Sequence, residues 1–387
     1  MLNIIAAVVL ALCIAGMAYS VVAIARAFSF ARRLGEFERG NTAEGNAGEL
    51  PPVTILKPLA GVEPGLRENL RSFCIQDYPQ FQVVFGVREA ADPGAAVVRS
   101  VIEELKGKDL TLVVGADPTM ANAKVGTLVE MASACKYGIL IVADSDTNVT
   151  SDYLRAVVAP FGDTGVGGVT CLYRGRPSGG LAADLGTLMI DDQFMPSVLV
   201  AAIGRITFCL GATMAVRKQT LEGIGGFAAL GPYLADDRRL GELVASSGAR
   251  VAIAPHVVEH DVIEPGLSAL WAHEVRWART NRLEKPWGFA GYFITYPLPL
   301  ALLYLALSQN IIVGVIAVFA ALALRVGLHY AARASLRARS PDKPWLIPLR
   351  DFLGLAVWAA SLFGRHVRWR GRVLTVDRQG RIVTGAA

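Results

Sequence analysis

The chain has 387 residues, 53% of them hydrophobic and only 18% charged, with a formal net charge of +5. So apolar a composition excludes an ordinary soluble enzyme and points to membrane segments, while the length allows one large domain or two. The positive balance does not imply a nucleic-acid partner: no nucleic-acid motif is present, and the arginines cluster beside apolar runs, where basic residues mark the cytoplasmic side and attract anionic lipid.

In chain order, residues 2–25 carry no charge and are long enough to cross a bilayer as a helix. No charged segment precedes them, and Arg26, Arg32 and Arg33 follow, which reads as a signal anchor over 1–28 with its N-terminus outside. A linker rich in Gly, Asn and Glu is expected within 29–51. An α/β region is expected over 52–266. Strand-like runs fall at 53–56, 83–87, 111–114, 139–143, 166–172 and 250–253, with helix-like stretches at 65–74, 95–106 and 122–135. Such alternation predicts a mostly parallel sheet with helices on both faces.

The apolar run 190–216 contains Asp191, Asp192 and Arg205 and is broken by Gly204 and Gly211, so it reads as buried core and binding surface rather than a span. An interfacial segment is expected at 267–287 and a membrane region at 288–364. Residues 287–324 are uncharged and fit two short spans turning at Ser308-Gln309-Asn310. A third span would put the basic tail, 365–387 with Arg365, His366, Arg368, Arg370 and Arg372, on the outer side, against the positive-inside tendency. The run 353–362 therefore reads as interfacial or re-entrant. The five cysteines form no Cys-x-x-Cys pair, which argues against a disulfide framework or a structural zinc and favours a reduced, cytosolic catalytic region.

The chemistry concentrates in five places. Ile139-Leu-Ile-Val-Ala-Asp-Ser-Asp146 is a strand-type run ending in two carboxylates. Ligands of open α/β sheets bind at that end of a strand. Residues i and i+2 of a strand share a face, so Asp144 and Asp146 are expected to face one ligand, with a divalent cation relieving their repulsion and a metal diphosphate as cargo. The competing reading is a loop or cap before Ser151-Asp152. Glu89 and Asp92 follow an early strand, where a carboxylate can accept from a base or ribose, although Asp92-Pro93-Gly94 is also good turn chemistry. In Asn122-Ala-Lys124 the lysine is suited to a phosphate. Asp236 and Asp237 are adjacent at a helix start, where the dipole favours them, and one could be a general base. In His273-Glu-Val-Arg276-Trp277, Arg276 suits a diphosphate and Trp277 stacking on a sugar or acyl chain; the segment also reads as a basic helix at the membrane surface.

Taken in order, these clusters resemble the family-2-like and family-21 inverting glycosyltransferases. The likeness is to the ceramide glucosyltransferase branch and its bacterial relatives that glycosylate hopanoids. That pattern is an early aspartate, Asp-x-Asp, a later aspartate, then (Gln/Arg)-x-x-Arg-Trp before membrane helices. The resemblance covers 52–285 and includes Leu56-Lys-Pro-Leu59, Glu68-Asn-Leu-Arg-Ser-Phe73, Gln76-Asp-Tyr-Pro79, Asn122-Ala-Lys-Val125, Gly211-Ala-Thr-Met214 and Ala235-Asp-Asp237. It implies a nucleotide-sugar-binding GT-A-like α/β domain with transmembrane helices at both ends. Asp92, with Glu89 as a rival, matches the first aspartate, Asp144 the second, and Asp146 completes the metal-binding pair. Asp237 matches the third, the expected base, preceded by Asp236; Arg276 and Trp277 match the Arg-Trp pair. His273 departs from the Gln or Arg of the pattern, and its charge would depend on pH.

The implied enzyme is a multi-pass protein of a bacterial-type inner membrane with a cytoplasmic catalytic domain. It would use Mg²⁺ or Mn²⁺ and move a sugar from a UDP-sugar to a lipid hydroxyl. The acceptor implied is ceramide, with a hopanoid polyol and UDP-N-acetylglucosamine as the sister alternative. A processive polysaccharide synthase would use the same chemistry but normally more membrane helices, and a dead transferase scaffold conflicts with the complete acidic motifs.

Overall fold

The computed structural model describes residues 2–42, 50–364, 366–369, 372–377 and 379–383. The N-terminal apolar run forms α1 (Leu2–Thr42), and the chain then alternates through β1 (Val53–Leu59), α2 (Leu66–Cys74), β2 (Phe81–Val87), α3 (Pro93–Glu104), β3 (Leu110–Val114), α4 (Ala123–Ala132) and β4 (Ile139–Val142). β1, β2 and β4 are buried almost throughout, which is why they read as unbroken apolar runs. Neighbouring residues of β1 feed opposite layers. Ile55 packs with Phe73, Phe85 and Tyr153 on one face, and Leu56 with Leu128, Met131 and Leu240 on the other.

The second half supplies β5 (Thr147–Asn148), α5 (Tyr153–Val158), β6 (Val166–Pro177), α6 (Gly180–Met189), α7 (Met195–Ala201), β7 (Met214–Arg217), α8 (Lys218–Gly223), α9 (Asp236–Ser246) and β8 (Arg250–Val262). The eight strands run β3-β2-β1-β4-β7-β6-β8-β5. β1 to β4 are mutually parallel, as are β6 and β8, whereas β7 is antiparallel to β4 and β6, and β5 to β8. The chain leaves β1 for β2 and β3 on one side, then returns to place β4 on the other. The crevice beyond β1 and β4 is therefore a topological switch point.

β6 and β8 run well past the expected 172 and 253. Their distal halves are polar, and the parallel register sets Arg174 opposite Glu259 and Arg176 opposite Asp261. Those ion pairs, at 2.7 and 2.5 Å, extend the ladder beyond the apolar signal. The run 190–216 lies inside the α/β body: a π-turn at Ile190–Phe194 carries buried Asp191 and Asp192 between α6 and α7, and a loop leads to β7.

α1 is longer than the expected anchor and takes up residues 29–42 of the expected linker; residues 43–49 of that linker lie outside the described residues. Its extension is held by Phe30 and Leu34, buried against the sheet's core, and by an ion pair between Glu38 and Arg337. After β8 come α10 (Leu267–Glu284), α11 (Pro286–Ala290), α12 (Pro297–Leu307), α13 (Ile311–Leu336) and α14 (Ile347–Ser361). Asn310 caps α13 at the expected turn, but that helix continues through Arg325 instead of stopping at 324. Among the described residues, two helical stretches, Asn3–Gly40 and Ile311–Leu336, are long and apolar enough to cross a membrane. α12 has 11 residues. At about 1.5 Å per residue it is too short to span a hydrocarbon core of about 30 Å. α1, α12 and α13 pack through Cys13, Ala301 and Ala321 and expose Ile4, Ile312 and Phe319 outward.

The C-terminal residues form β9 (His366–Trp369), β10 (Arg372–Val376) and β11 (Ile382–Val383), an antiparallel sheet; Arg365 and Arg370 lie outside the described residues. This sheet is pinned to the loop before α9: Leu234 N donates to Gly380 O (3.1 Å) and Ile382 N to Pro232 O (2.8 Å).

Candidate active site

β4 ends at Val142, so Asp144 and Asp146 sit in the turn beyond it, and the same-face argument for a strand does not apply. The two carboxylates take different partners. Asp144 Oδ1 is 2.8 Å from Lys124 Nζ, which is also 3.0 Å from Asp236 Oδ2. Asp146 Oδ1 faces His260 Nδ1 at 3.5 Å; it is buried and has no hydrogen-bond donor among the described residues. Lys124 is delivered by the start of α4, where Asn122 accepts from the amides of Lys124 and Val125 (3.0 and 3.4 Å). The Asn122 amide also donates to Tyr233 O at 2.9 Å, so one side chain caps α4 and holds the loop leading to Asp236.

Asp237 stands in the first turn of α9, with its Oδ1 accepting from Arg238 N at 2.7 Å. Gly211 lies between the acidic groups. A Cβ there would meet Asp144 Oδ2 at 2.6 Å and Asp237 Oδ2 at 3.6 Å, so only glycine lets this loop approach both. The structure thus brings Asp144, Lys124, Asp236 and Asp237 into one cluster, with Asp146 beside it.

Burial, and then Asp236, push the Asp237 carboxyl up to about 6, against the pull of Lys124. Burial followed by Asp146 raises Asp144, with Lys124 opposing. For Asp146, burial is outweighed by His260 and Lys57, which hold it down at about 2. Lys124 is largely withdrawn from solvent, and that desolvation opposes its charge, yet Asp144 and Asp236 keep its ammonium well above the usual lysine range. His260 is raised, Asp146 outweighing burial. A carboxylate near 6 is poised to take a proton at neutral pH, and one near 2 stays charged.

α10 carries the remaining cluster. His273 Nδ1 lies 2.6 Å from Glu264 Oε1, and its ring meets Trp277 edge-on at 4.6 Å. Arg276 is half-buried, and burial lowers it against the pull of Glu264. An aromatic row connects this turn to the acidic site: Trp277 to Phe194 (6.2 Å), Phe194 to Tyr173 (6.0 Å), Tyr173 to His260 (5.3 Å). At the far end of α10, Glu284 binds Arg238, the neighbour of Asp237, at 2.6 Å.

The early acidic residues are placed differently. Asp92 caps α3 by accepting from Gly94 N (2.8 Å) and also accepts from Gly61 N (3.0 Å), tying together the loops after β1 and β2. Glu89 is exposed, 3.9 Å from Arg88.

Two functional candidates escaped the sequence reading. Lys57, fully buried in β1, donates to Asp144 O and to Thr147 Oγ1 (3.2 Å) and lies over the Phe73 ring at 3.8 Å. Its signal was a charge inside a strand buried on both faces. Burial lowers it to about 7, against Asp146 and Asp144. His260 lies in the polar half of β8, and only its alternation with Glu259 and Asp261 marked it.

The fold is that of the GT-A glycosyltransferases. The mannosyltransferase PcManGT from Pyrobaculum calidifontis, solved with GDP-Man and Mn²⁺, superposes with a TM-score of 0.50 at 19% identity, covering 90% of this chain and 97% of that one. A profile of glycosyl transferase family 21 matches residues 8–382, and the chain belongs to that family. Ceramide glucosyltransferase 1 of Caenorhabditis elegans is 24% identical over 208 residues, 54% of this chain and 45% of the relative. The ceramide glucosyltransferase of Komagataella phaffii is 31% identical over 148 residues, 36% of this chain and 28% of the relative. The matched stretches thus span less than half the length of these relatives.

Proposed function

We propose that this chain is a membrane-attached inverting glycosyltransferase that moves a sugar from a UDP-linked donor to a lipid hydroxyl, with ceramide as the acceptor. The observation that carries the reading is the cluster at the switch point, where Lys124 joins Asp144 to Asp236 with Asp237 alongside. The names of the relatives support the acceptor.

In this reading Asp237 accepts the proton of the acceptor hydroxyl as its oxygen attacks the anomeric carbon. The bond to the diphosphate breaks on the opposite face, and UDP leaves with the electron pair. One displacement inverts the configuration and needs no protein nucleophile. Lys124 and Arg276 offer positive charge to the diphosphate, and Trp277 offers a face to the sugar or acyl chain. Glu89 and Asp92 border the nucleotide side, Asp92 chiefly by fixing its two loops.

Asp146 and His260 offer two donors to a divalent cation; among the described residues no group of three or more His, Cys, Asp or Glu side chains gathers to hold one alone, so diphosphate oxygens and water would complete its shell. Asp146 has a buried oxygen without a hydrogen-bond donor among the described residues, and His260 places a ring nitrogen 3.5 Å from it. Mg²⁺ or Mn²⁺ held by Asp146 and His260, with Asp144 close by, would supply Lewis-acid charge to the leaving diphosphate. Arg26, Arg32 and Arg33 after the uncharged run support a cytoplasmic catalytic body.

Mass spectrometry of the lipid products tests the acceptor. Purified protein in detergent is offered UDP-glucose, UDP-galactose, UDP-glucuronate and UDP-N-acetylglucosamine against ceramide and a bacteriohopane polyol. A glycosyl ceramide is the expected product. An N-acetylhexosaminyl hopanoid instead would move the chain to the sister branch, and donor hydrolysis without any lipid product would overturn the acceptor.

A further inference from the structure

A small, partly open cleft of about 50 Å³ lies between α1, α7 and β8. Arg26, Ser29 and Arg33 form one wall; Leu199, Ile206 and Ile253 form much of the floor. None of these residues belongs to the acidic site. Arg26 Nε donates to Leu199 O and Arg33 Nη2 to Ile253 O, each at 3.3 Å. Both acceptors are neutral carbonyls, and among the described residues neither guanidinium has a carboxylate partner. The adjacent Arg32 differs, since it pairs with Glu36 at 3.7 Å.

Residues 22, 26, 29 and 33 recur at helical spacing and share one face of α1. Val22, 40% exposed, makes that face apolar one turn before Arg26. Polarity therefore changes where the uncharged run 2–25 ends. Arg26 and Arg33 are about 10 Å apart along the axis. At that spacing two long side chains can close on one phosphate from either side, and the guanidinium fork matches phosphate oxygens. An apolar floor beneath two uncompensated cations is matched by a ligand that is anionic at one end and hydrocarbon at the other.

We propose that this cleft binds the phosphodiester headgroup of an anionic membrane phospholipid, gripped by Arg26 and Arg33, with its acyl chains along the Val22 face of α1. The inference rests on the proposed membrane attachment of α1 and is independent of the sugar-transfer chemistry. The lipid would join α1 to the α/β body at the membrane surface, because the carbonyls beside it belong to α7 and β8.

Native mass spectrometry of the full chain in neutral detergent, titrated with phosphatidylglycerol, tests this. Wild type is expected to retain one phosphatidylglycerol in preference to phosphatidylcholine, and glycerol 3-phosphate should compete poorly. R26Q/R33Q should bind it about tenfold or more weakly, R26K/R33K should fall between that variant and wild type because the charge stays and the fork is lost, and R32Q should keep most of the affinity. An unchanged melting temperature for each variant guards against misfolding, and the lysine variant isolates charge from packing. Equal retention by R26Q/R33Q, equal binding of phosphatidylcholine, or full competition by glycerol 3-phosphate would each overturn the proposal. Retention of the lipid without any glycosyl transfer would count against the proposed function alone.

Discussion

Two regions of this molecule gather charge away from bulk solvent, and they do so in opposite ways. Beneath the apolar helices, Arg325 of α13 meets Asp351 of α14 through contacts of 2.9–3.0 Å, and Arg350 of α14 grips Glu274 of α10 at 2.6 and 2.7 Å. Two cations meet two anions, all are at most 5% exposed, and spare donors go to carbonyls such as Asp192 O and Leu185 O. At the switch point, four carboxylates (Asp144, Asp146, Asp236 and Asp237) share Lys57, Lys124 and His260, and Asp146 retains an oxygen without a donor among the described residues. The first arrangement balances its charges pair by pair and holds the α10 turn that bears His273, Arg276 and Trp277 against α14. The second is unbalanced, which is where perturbed acidity and ligand binding are expected. Buried charge by itself therefore says little about function; whether the charges are satisfied within the fold says more.

This contrast can be broken from either side. Arg350→Met leaves Glu274 buried and unpaired, a change that costs about 3–5 kcal/mol, whereas replacing both partners with apolar residues is close to neutral. The apparent melting temperature should fall sharply for Arg350→Met and recover in Glu274→Leu/Arg350→Met. Equal losses in both would show that the pair's packing, and not its charge balance, matters. At the acidic site the same logic reverses: Asp146→Ala should cost little stability. It should weaken metal-dependent donor binding about 10–100-fold, as losses around a metal site do. An unchanged Mn²⁺ titration of donor binding would remove Asp146 from that role.

Much of this was legible in the chain. β1, β2 and β4 announced themselves because both faces are covered, and the order of acidic clusters led to the family before any geometry. The turn at Ser308-Gln309-Asn310 was also readable, since Asn310 is a helix cap. What failed was the reading of charge inside regular structure. Lys57 sits mid-strand, and its partners, Asp144 O and Thr147, arrive from a different loop. The distal halves of β6 and β8 look like loop because their charges are neutralised across the ladder. Asp144 and Asp146 were read as strand residues sharing a face, but β4 ends at Val142, and the two carboxylates take different tertiary partners, Lys124 and His260. Local periodicity carries no information about such long-range pairing.

The central claim is that Asp237, in the unbalanced cluster, is the proton acceptor. Its carboxyl, raised to about 6, must be ionised to act. Activity should therefore be full above that pH and decline as pH falls through it. The decisive measurement is the pH dependence of kcat/KM for wild type and Asp237→Asn, with donor affinity measured alongside. The account predicts an acid limb near 6 in wild type. The variant should lose that limb and about 10²-fold or more of the rate while binding UDP-sugar normally. Near-normal turnover, or the same acid limb in Asp237→Asn, would contradict it.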